Sequence, residues 1–405
     1  MKIISLIIGI VMVALPSFGL VAGPVFAALG AVLFLGLAAA MVVGRTPLRV
    51  SHFDWPVWLL VLAFGLWTSL TICSQCNLQL ALEHSIQASL IFIGALLLLE
   101  LARRAPIERL LTGEQLLRLV TIGLVIGVTI LLVDLAMGFP LRKLFAMDNH
   151  PTQYNRGIAY VSLMILPALA FASQRGRWLD LAILVIAISL ALVFGSNTTA
   201  VVAWVLAIAT AVIAFYHPRL VRIALQSLVA VFFITAPWLI QAITSLRSRF
   251  DGIVKGSGIH RLEIWNYMAA RIHDHPWRGW GLGTARELQV TEAERLNYLY
   301  VGSGGIYPHN QLLQLWVETG IVGVLLFLIF IQLVIWRIGK MAEAYRPFAF
   351  ATLVMALSTA LVNYEITTDS WWDCLAITSL LYIVWQRMGD GLARPVRFIF
   401  SNRSE

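Results

Sequence analysis

The sequence predicts an all-α integral membrane protein with about twelve membrane-spanning helices and one large polar loop. Of the 405 residues, 60% are hydrophobic and 12% are charged, whereas soluble domains are usually closer to half apolar and a quarter charged. Apolar runs recur along the whole chain, and each has about the twenty residues that a helix needs to cross the hydrocarbon layer. A soluble protein of this length would also tend to divide into domains. Because apolar runs recur along the whole chain, we expect a membrane bundle instead.

The apolar runs follow one another from the N-terminus onward. The first begins directly after Lys2 and a second follows at once, so we interpret the first as a retained span rather than a cleaved signal peptide. The predicted spans are residues 3–20, 24–43, 55–72, 84–101, 116–137, 156–173, 179–195, 199–215, 223–243, 311–335, 347–363 and 372–386. They divide the chain into nine spans over 1–243, a polar loop over 244–310, and three spans with a cytoplasmic tail over 311–405.

Basic residues are unevenly distributed between the loops. If the N-terminus is cytoplasmic, 18 of the 29 Lys and Arg residues fall on the cytoplasmic side, and the outer loops near 73–83, 195–199 and 364–371 contain none. This is the positive-inside pattern, which predicts that both termini are cytoplasmic. The remaining 11 basic residues fall in two outer segments, 138–156 and 244–310. An arginine-rich outer surface beside a membrane is suited to anionic lipid headgroups.

The three cysteines give little indication of function. Cys73 and Cys76 form a CxxC pair, which can indicate metal or redox chemistry. No further ligands lie near the pair in the sequence, so we interpret it as two incidental thiols or a small disulfide at a loop.

The long outer loop contains its own helical signals. Residues 259–272 have apolar side chains at helical spacing, so we predict an amphipathic helix lying along the membrane surface. Residues 275–283 read HPWRGWGLG, and the proline with three alternating glycines predicts a tight, irregular turn. A structural role for this turn is favoured over phosphate binding. Residues 284–299 are predicted to be helical again.

Polar residues mark the junction between this loop and the next span. His309 and Asn310 follow a proline, which stops any helix before it, so they are expected near a helix start. Gln314 and Glu318 then place polar groups on one face of the span 311–335. Ionisable groups at membrane depth are costly and tend to be functional, and a helix N-terminus favours an anion.

The polar residues also form one ordered pattern. It reads Arg261-x3-Trp265, then His275-Pro276-x2-Gly279-x-Gly281-x-Gly283, then His309-Asn310-x2-Leu313-x4-Glu318-x-Gly320-x2-Gly323. Over roughly residues 190–340 this pattern resembles the bacterial O-antigen ligase and polymerase superfamily. Asn155-Arg156-Gly157 resembles a second feature of that superfamily, whereas Asn197 stands where relatives often have an arginine.

The resemblance implies a membrane glycosyltransferase with a GT-C-like fold. It would lie in the bacterial inner membrane with its active site on the periplasmic side. The implied donor is a glycan on undecaprenyl diphosphate. The acceptor is a sugar of the lipid A core in ligases, another repeat unit in polymerases, and a protein hydroxyl in a third branch. Membrane lipids are expected partners, nucleic acid is not, and no cofactor is expected.

For this reaction we predict two catalytic residues. His309 would take the proton from the acceptor hydroxyl as general base, with a rate that falls below about pH 6 as the imidazole is protonated. Arg261 would stabilise the leaving diphosphate. Glu318 is expected to orient His309 or an arginine. The predicted substrate-binding residues are Arg142, Lys143, Arg156, Arg278, Asn310 and Glu318.

A metal is not predicted. Many glycosyltransferases hold the diphosphate with a metal on an Asp-x-Asp pair, and this sequence contains none. Asp274 between His273 and His275 is the alternative, which we disfavour because adjacent residues point in different directions.

Two other functions stay open. O-antigen polymerases tend to have two long outer loops, each with Arg-x10-Gly; here the 138–156 loop is short and lacks one, and the match of Arg247 with Gly258 is expected by chance. A ligase is therefore favoured over a polymerase or a protein-glycosylating enzyme. A transporter of lipid-linked glycans would need polar groups along a central path, but the span interiors are almost uncharged apart from Glu100, Asp134 and Glu318.

Overall fold

The molecule is a bundle of long helices. A computed structural model describes residues 1–47, 54–71, 78–144, 154–195, 197–245, 257–288, 290–292, 301 and 308–389. The helices in this part of the chain are α1 (Lys2–Val21), α2 (Val25–Val43), α3 (Trp55–Leu70), α4 (Leu78–Arg104), α5 (Gly113–Ala136), α6 (Pro140–Leu144), α7 (Asn155–Gln174), α8 (Trp178–Phe194), α9 (Thr198–Tyr216), α10 (Pro218–Ser245), α11 (Ser257–Asp274), α12 (Gln311–Ile338), α13 (Arg346–Asn363) and α14 (Asp369–Gly389). Cys73, Cys76 and Arg247 lie outside the described residues.

Each predicted span corresponds to one of these helices, and α6 and α11 are the two helices beyond the predicted spans. Within the described ranges, nine helices are long and apolar enough to cross a membrane, and α3 and α8 are shorter apolar helices. The last helix, α14, carries Asp369, Asp373 and Arg387 and is therefore less apolar than the other predicted spans. The prediction of an all-α, polytopic membrane protein is confirmed.

Helix α7 lies at the centre of the bundle. Its residues from Gly157 to Ala172 are all buried, and it packs against α1, α8, α13 and α14. Gly157 lies against the backbone of Gly19 and Leu20 in α1, where any side chain would collide. Small residues allow membrane helices to approach closely, so α7 is held with its N-terminus, and Arg156 within it, beside the end of α1.

The loops predicted to be cytoplasmic meet at one end of the bundle, which we call the basic end. Arg387 donates to the carbonyl oxygens of Ala102 and Ala105 at 2.8 and 3.1 Å. Arg337, at the end of α12, forms an ion pair with Asp54. Helix ends that are far apart in sequence are thereby joined, as the alternating span order predicts.

The outer loops meet at the opposite end, which we call the site end. Asn197, before α9, donates to the carbonyl oxygen of Asn155 at 2.8 Å. Gln87 of α4 donates to the carbonyl oxygen of Thr367 at 3.5 Å, and Gly23 packs against Arg156. The structure therefore confirms that the two sets of loops lie at opposite ends of the bundle.

The buried acidic groups of the spans have structural partners. Glu100 of α4 accepts from Arg103 and Arg104 at 3.1 and 3.0 Å. Asp134 of α5 accepts a hydrogen bond from the hydroxyl of Tyr154 and one of 2.7 Å from the backbone N–H of Leu141. Both carboxylates fix helix ends and loops.

One prediction for the long loop needs correction. Helix α11 forms as predicted; it packs against α10 and α12, and its buried face includes Ile264, Tyr267, Met268 and Ile272. Within the predicted helix over 284–299, residues 284–286 form one 3-10 turn and residues 287–288 and 290–291 are not helical, whereas Glu292 is helical and residues 293–299 lie outside the described residues. Tertiary hydrogen bonds to α12 hold this segment instead of a helical ladder.

Candidate active site

His309 lies where the long loop enters α12. The next residue, Asn310, is buried and is the N-cap of the helix, since its side-chain oxygen accepts from the backbone N–H groups of Leu312 and Leu313 at 3.1 and 3.0 Å. His309 has a positive φ of 48°, which a non-glycine residue adopts only when its surroundings hold it there. Asn310 was predicted to bind substrate; in the structure it fixes the start of the helix that directly follows His309.

Positive charges from several segments converge on His309. Burial, and then the charges of Arg261, His260, Arg156 and Arg286, lower the pKa of this half-buried imidazole to about 4. Desolvation and nearby cations both disfavour the protonated form. Helix α11 supplies Arg261 and His260, the start of α7 supplies Arg156, and the loop after the glycine turn supplies Arg286. His309 is consequently neutral at pH 7 in a strongly positive environment.

The structure brings together some of the predicted site residues. Arg261 and Arg156 act electrostatically on His309. Lys143 is exposed on α6, and Arg278 is exposed on the glycine turn. The side chain of Arg142 lies outside the described part of the structure.

Sequence reasoning missed two residues of this site, His260 and Arg286. His260 directly precedes Arg261, and the helical pattern of α11 gave no reason to single it out. Arg286 was counted only as one of the basic residues of the long loop. It forms an ion pair with Glu365, on the loop between α13 and α14. That loop lies next to α12, because Gln311 donates to the carbonyl oxygen of Glu365 at 3.3 Å.

Helix α12 is interrupted at Gly320, nine residues after its first residue, Gln311. Gly320 has φ 61° and ψ −169°, which breaks the helical hydrogen-bond ladder. The freed carbonyl oxygens of Val317 and Glu318 accept from the backbone N–H groups of Trp280 and Gly281 at 2.8 and 2.9 Å. The glycine turn is therefore joined to α12 by main-chain hydrogen bonds.

Close backbone contact explains why this turn needs glycine. A side chain at Gly279, where φ is 71°, would collide with the backbone of Glu318 and Thr319. A side chain at Gly320 would collide with the backbone of Trp277 and Arg278. The geometry agrees with the structural role favoured for the turn, and it accounts for the position of Arg278 on its exposed side.

Glu318 connects this turn to the site. The side chain is fully buried, and its carboxylate accepts from the backbone N–H of Ala285 at 3.2 Å and from the amide of Gln314 at 3.1 and 3.2 Å. Glu318 was predicted to orient His309 or an arginine. Its bond to Ala285 holds the backbone next to Arg286, so it fixes the segment that carries one arginine of the site.

Asn197 also has a defined structural role. Its side-chain oxygen accepts from the backbone N–H of Ala200 at 3.0 Å and caps α9, while its amide group binds the backbone of Asn155. This amide fixes the start of α7 next to Arg156.

The residues considered for a metal have separate partners. His273 contacts the side chain of Gln241 at 3.4 Å, and Asp274 forms an ion pair of 3.3 Å with Arg271. The ring of His275 packs edge-on against Trp280. In the part of the chain that the structure describes, no three His, Cys, Asp or Glu residues are grouped so as to hold a metal ion.

An apolar cavity lies beside the site. It has a volume of about 200 Å³ and lies between α10, α12 and α13, close to the start of α12. Its lining includes Phe232, Gln311, Leu312, Leu315, Leu361 and Ile366. Gln311 is two residues from His309, so the charged site and an apolar cavity are adjacent.

The fold and site define a polytopic membrane protein with a histidine and several arginines at one end of the helix bundle. Residues 182–328 match the family model described as O-antigen ligase. A protein of Rickettsia conorii named as a polysaccharide ligase is 23% identical over 70% of this chain and 69% of its own length. A second, from Rickettsia felis, is 28% identical over 29% of each chain. These matches support a relationship to the O-antigen ligase superfamily and a ligase-type transferase activity.

Proposed function

We propose that this protein is a lipopolysaccharide O-antigen ligase. It moves O-antigen glycan from undecaprenyl diphosphate to a sugar of the lipid A core, on the periplasmic side of the inner membrane. The observation that carries the proposal is the convergence of Arg261, Arg156 and Arg286 on the neutral imidazole of His309. Arginines bind and stabilise the charge of a diphosphate leaving group, and a base takes the proton from the acceptor hydroxyl.

In the proposed reaction, the acceptor hydroxyl oxygen attacks the first carbon of the donor glycan. The bond from that carbon to the diphosphate oxygen breaks, and its electron pair leaves with the lipid diphosphate. The arginines stabilise this developing negative charge, as preorganised cations do in other transferases. The hydroxyl proton passes to His309. The atoms and charges balance without a cofactor.

The surroundings of the site suit a lipid-linked donor. Guanidinium groups bind phosphate oxygens in a bidentate geometry, and the cavity next to Gln311 offers an apolar surface to a lipid chain. A donor held with its diphosphate at the arginines and its lipid against α10, α12 and α13 would place its first sugar carbon near His309.

The interior of the bundle favours an enzyme over a transporter. The buried carboxylates of Glu100, Asp134 and Glu318 are used in hydrogen bonds and ion pairs that fix the fold. The arginines that act on His309 lie at the site end rather than along a central path. This arrangement supports chemistry at a surface.

Reconstitution tests the proposal. Purified protein in liposomes is given lipid-linked glycan together with lipid A-core, unextended repeat units or a peptide bearing hydroxyl residues. We expect transfer to lipid A-core, and we expect it to persist in excess EDTA. Extension of repeat units alone would identify a polymerase. A loss of transfer in EDTA that magnesium or manganese restores would overturn metal independence.

A further inference from the structure

We propose that Arg286 is a third diphosphate-binding arginine, and that Glu365 is the positioning residue that holds its guanidinium at the site. This inference rests on the proposed function and adds two residues to it. Neither residue belongs to the sequence pattern described above. Their placement follows from contacts between the glycine turn, α12 and the loop between α13 and α14.

The backbone next to Arg286 is held by hydrogen bonds to α12 and within the glycine turn. The buried carboxylate of Glu318 accepts from the backbone N–H of Ala285 at 3.2 Å. Thr284, one residue earlier, donates its hydroxyl proton to the carbonyl oxygen of Gly281 at 2.6 Å. The one-turn segment Thr284–Arg286 therefore has a defined position relative to α12, although it is not part of a long helix.

The side chain of Arg286 is held by the loop between α13 and α14. Its guanidinium forms an ion pair with Glu365, whose carboxylate is only 13% exposed, while the side chain of Arg286 is 58% exposed. Glu365 in turn belongs to a loop fixed on α12, since Gln314 accepts from the backbone N–H of Ile366 at 3.1 Å. Glu365 thus holds the guanidinium of Arg286, while the Arg286 side chain stays partly exposed.

The position of Arg286 relative to His309 is set by the same contacts. Gln311, two residues after His309, donates to the carbonyl oxygen of Glu365. Arg286 is therefore held above the start of α12, and its charge is one of those that lower the pKa of His309. An arginine that is fixed, partly exposed and next to the base is in position to bind a diphosphate oxygen.

A diphosphate-binding assay tests the proposal without requiring transfer. Farnesyl diphosphate serves as a soluble probe for purified protein in detergent, with Kd measured for wild type, Arg286→Gln and Glu365→Gln. We expect each substitution to weaken binding about tenfold, because each removes a charge-assisted contact or its alignment. Arg177→Gln is the matched control: this arginine also forms an ion pair, with Glu114, but at the basic end, and its Kd should equal that of wild type.

The double variant separates positioning from general destabilisation. If Glu365 acts through Arg286, adding Glu365→Gln to Arg286→Gln should not weaken binding further. Tighter binding by Glu365→Gln would show that Glu365 competes with the diphosphate and would overturn its positioning role. Wild-type affinity in Arg286→Gln would overturn the inference alone. Failure of the wild type to bind the probe would instead contradict the proposed function.

Discussion

At the scale of single residues, the main feature is a histidine kept neutral by burial and by the nearby cations that would bind the donor. Burial and the charges of Arg261, His260, Arg156 and Arg286 lower the pKa of His309 to about 4. A base with so low a pKa is weak at neutral pH. A bound diphosphate would cancel much of the positive charge, so the pKa of His309 should rise when the donor binds. The donor would thereby strengthen the base that takes the proton of the acceptor.

This coupling predicts two different pH profiles. Protonated His309 cannot accept a proton, so activity is lost as the pH falls through its pKa. For the free enzyme, kcat/KM should stay level from pH 8 to about 5 and fall only towards the pKa of about 4. For the donor complex, kcat should fall at higher pH, nearer the ordinary histidine value of about 6.5. Initial rates of the reconstituted enzyme, measured at several donor concentrations, give both profiles.

Two outcomes would contradict this coupling. If kcat and kcat/KM fell at the same pH, the donor would have no electrostatic effect on His309. If kcat were level from pH 5 to 8 with chemistry as the slow step, another group would be the base. For the free enzyme, the structure moves the decline that the sequence predicts below about pH 6 towards the lower pKa of about 4, because the sequence-based value assumed an unperturbed histidine.

Arg261 provides a second test at this scale. Arg261→Ala should reduce transfer by at least about a hundredfold, because a preorganised cation at the developing charge is worth several kcal/mol. Arg261→Lys should recover little activity, since an ammonium group cannot reproduce the bidentate contact. Transfer rates of the two purified variants are compared with wild type. A fully active lysine variant would show that a point charge suffices.

At the scale of elements, the central unit is the glycine turn docked into the broken helix α12. The break at Gly320 frees carbonyl oxygens, and the turn supplies the N–H groups that satisfy them. Glu318 then extends the contact to Ala285. The position of the loop carrying Arg286 therefore depends on the geometry of a helix inside the bundle.

Glycine substitutions test this unit. Gly279→Ala should lower the Tm by several degrees. A positive φ costs an L-residue about 1–2 kcal/mol, and the added methyl group collides with Glu318 and Thr319. Gly94→Ala is the control, because nothing lies within 4 Å of the added carbon on α4. Thermal unfolding in detergent, followed by tryptophan fluorescence, measures both; equal Tm values for Gly279→Ala and wild type would contradict the docking.

The sequence predicted the positions of the spans but not the break in α12. Apolar runs fix the spans because each must fill the hydrocarbon layer. The sequence pattern does not distinguish Gly320 from Gly323, since both lie in the same apolar run. Only Gly320 leaves the helical conformation. The difference arises because the glycine turn packs against Gly320. The role of Arg286 in the site could not be predicted either, because it depends on a tertiary contact: its partner Glu365 is 79 residues away in the sequence. Arg261 and His309 were found because the family resemblance marks them.

At the scale of the whole molecule, the two ends of the bundle differ in how their charged residues are used. The basic end is joined by ion pairs such as Arg337 with Asp54, and the site end holds His309 and the arginines around it. The positive-inside rule assigns the basic end to the cytoplasm. The donor and acceptor would then meet on the periplasmic side.

Cysteine labelling tests this orientation. In a variant without the native cysteines, Trp277→Cys reports on the site end and Glu343→Cys on the basic end; both native side chains are exposed. We expect a membrane-impermeant maleimide to label position 277 in intact spheroplasts and position 343 only after permeabilisation. The reverse pattern would overturn the proposed topology.

The central claim is that His309 accepts the proton of the acceptor hydroxyl. Its most direct test is single-turnover transfer from lipid-linked glycan to lipid A-core by His309→Gln, because glutamine can keep a hydrogen bond but cannot accept the proton at neutral pH. We predict that transfer falls about a hundred- to ten-thousandfold, while the Tm and donor binding stay close to wild type. Transfer by the glutamine variant at close to the wild-type rate would contradict the claim and leave His309 a structural role at the start of α12.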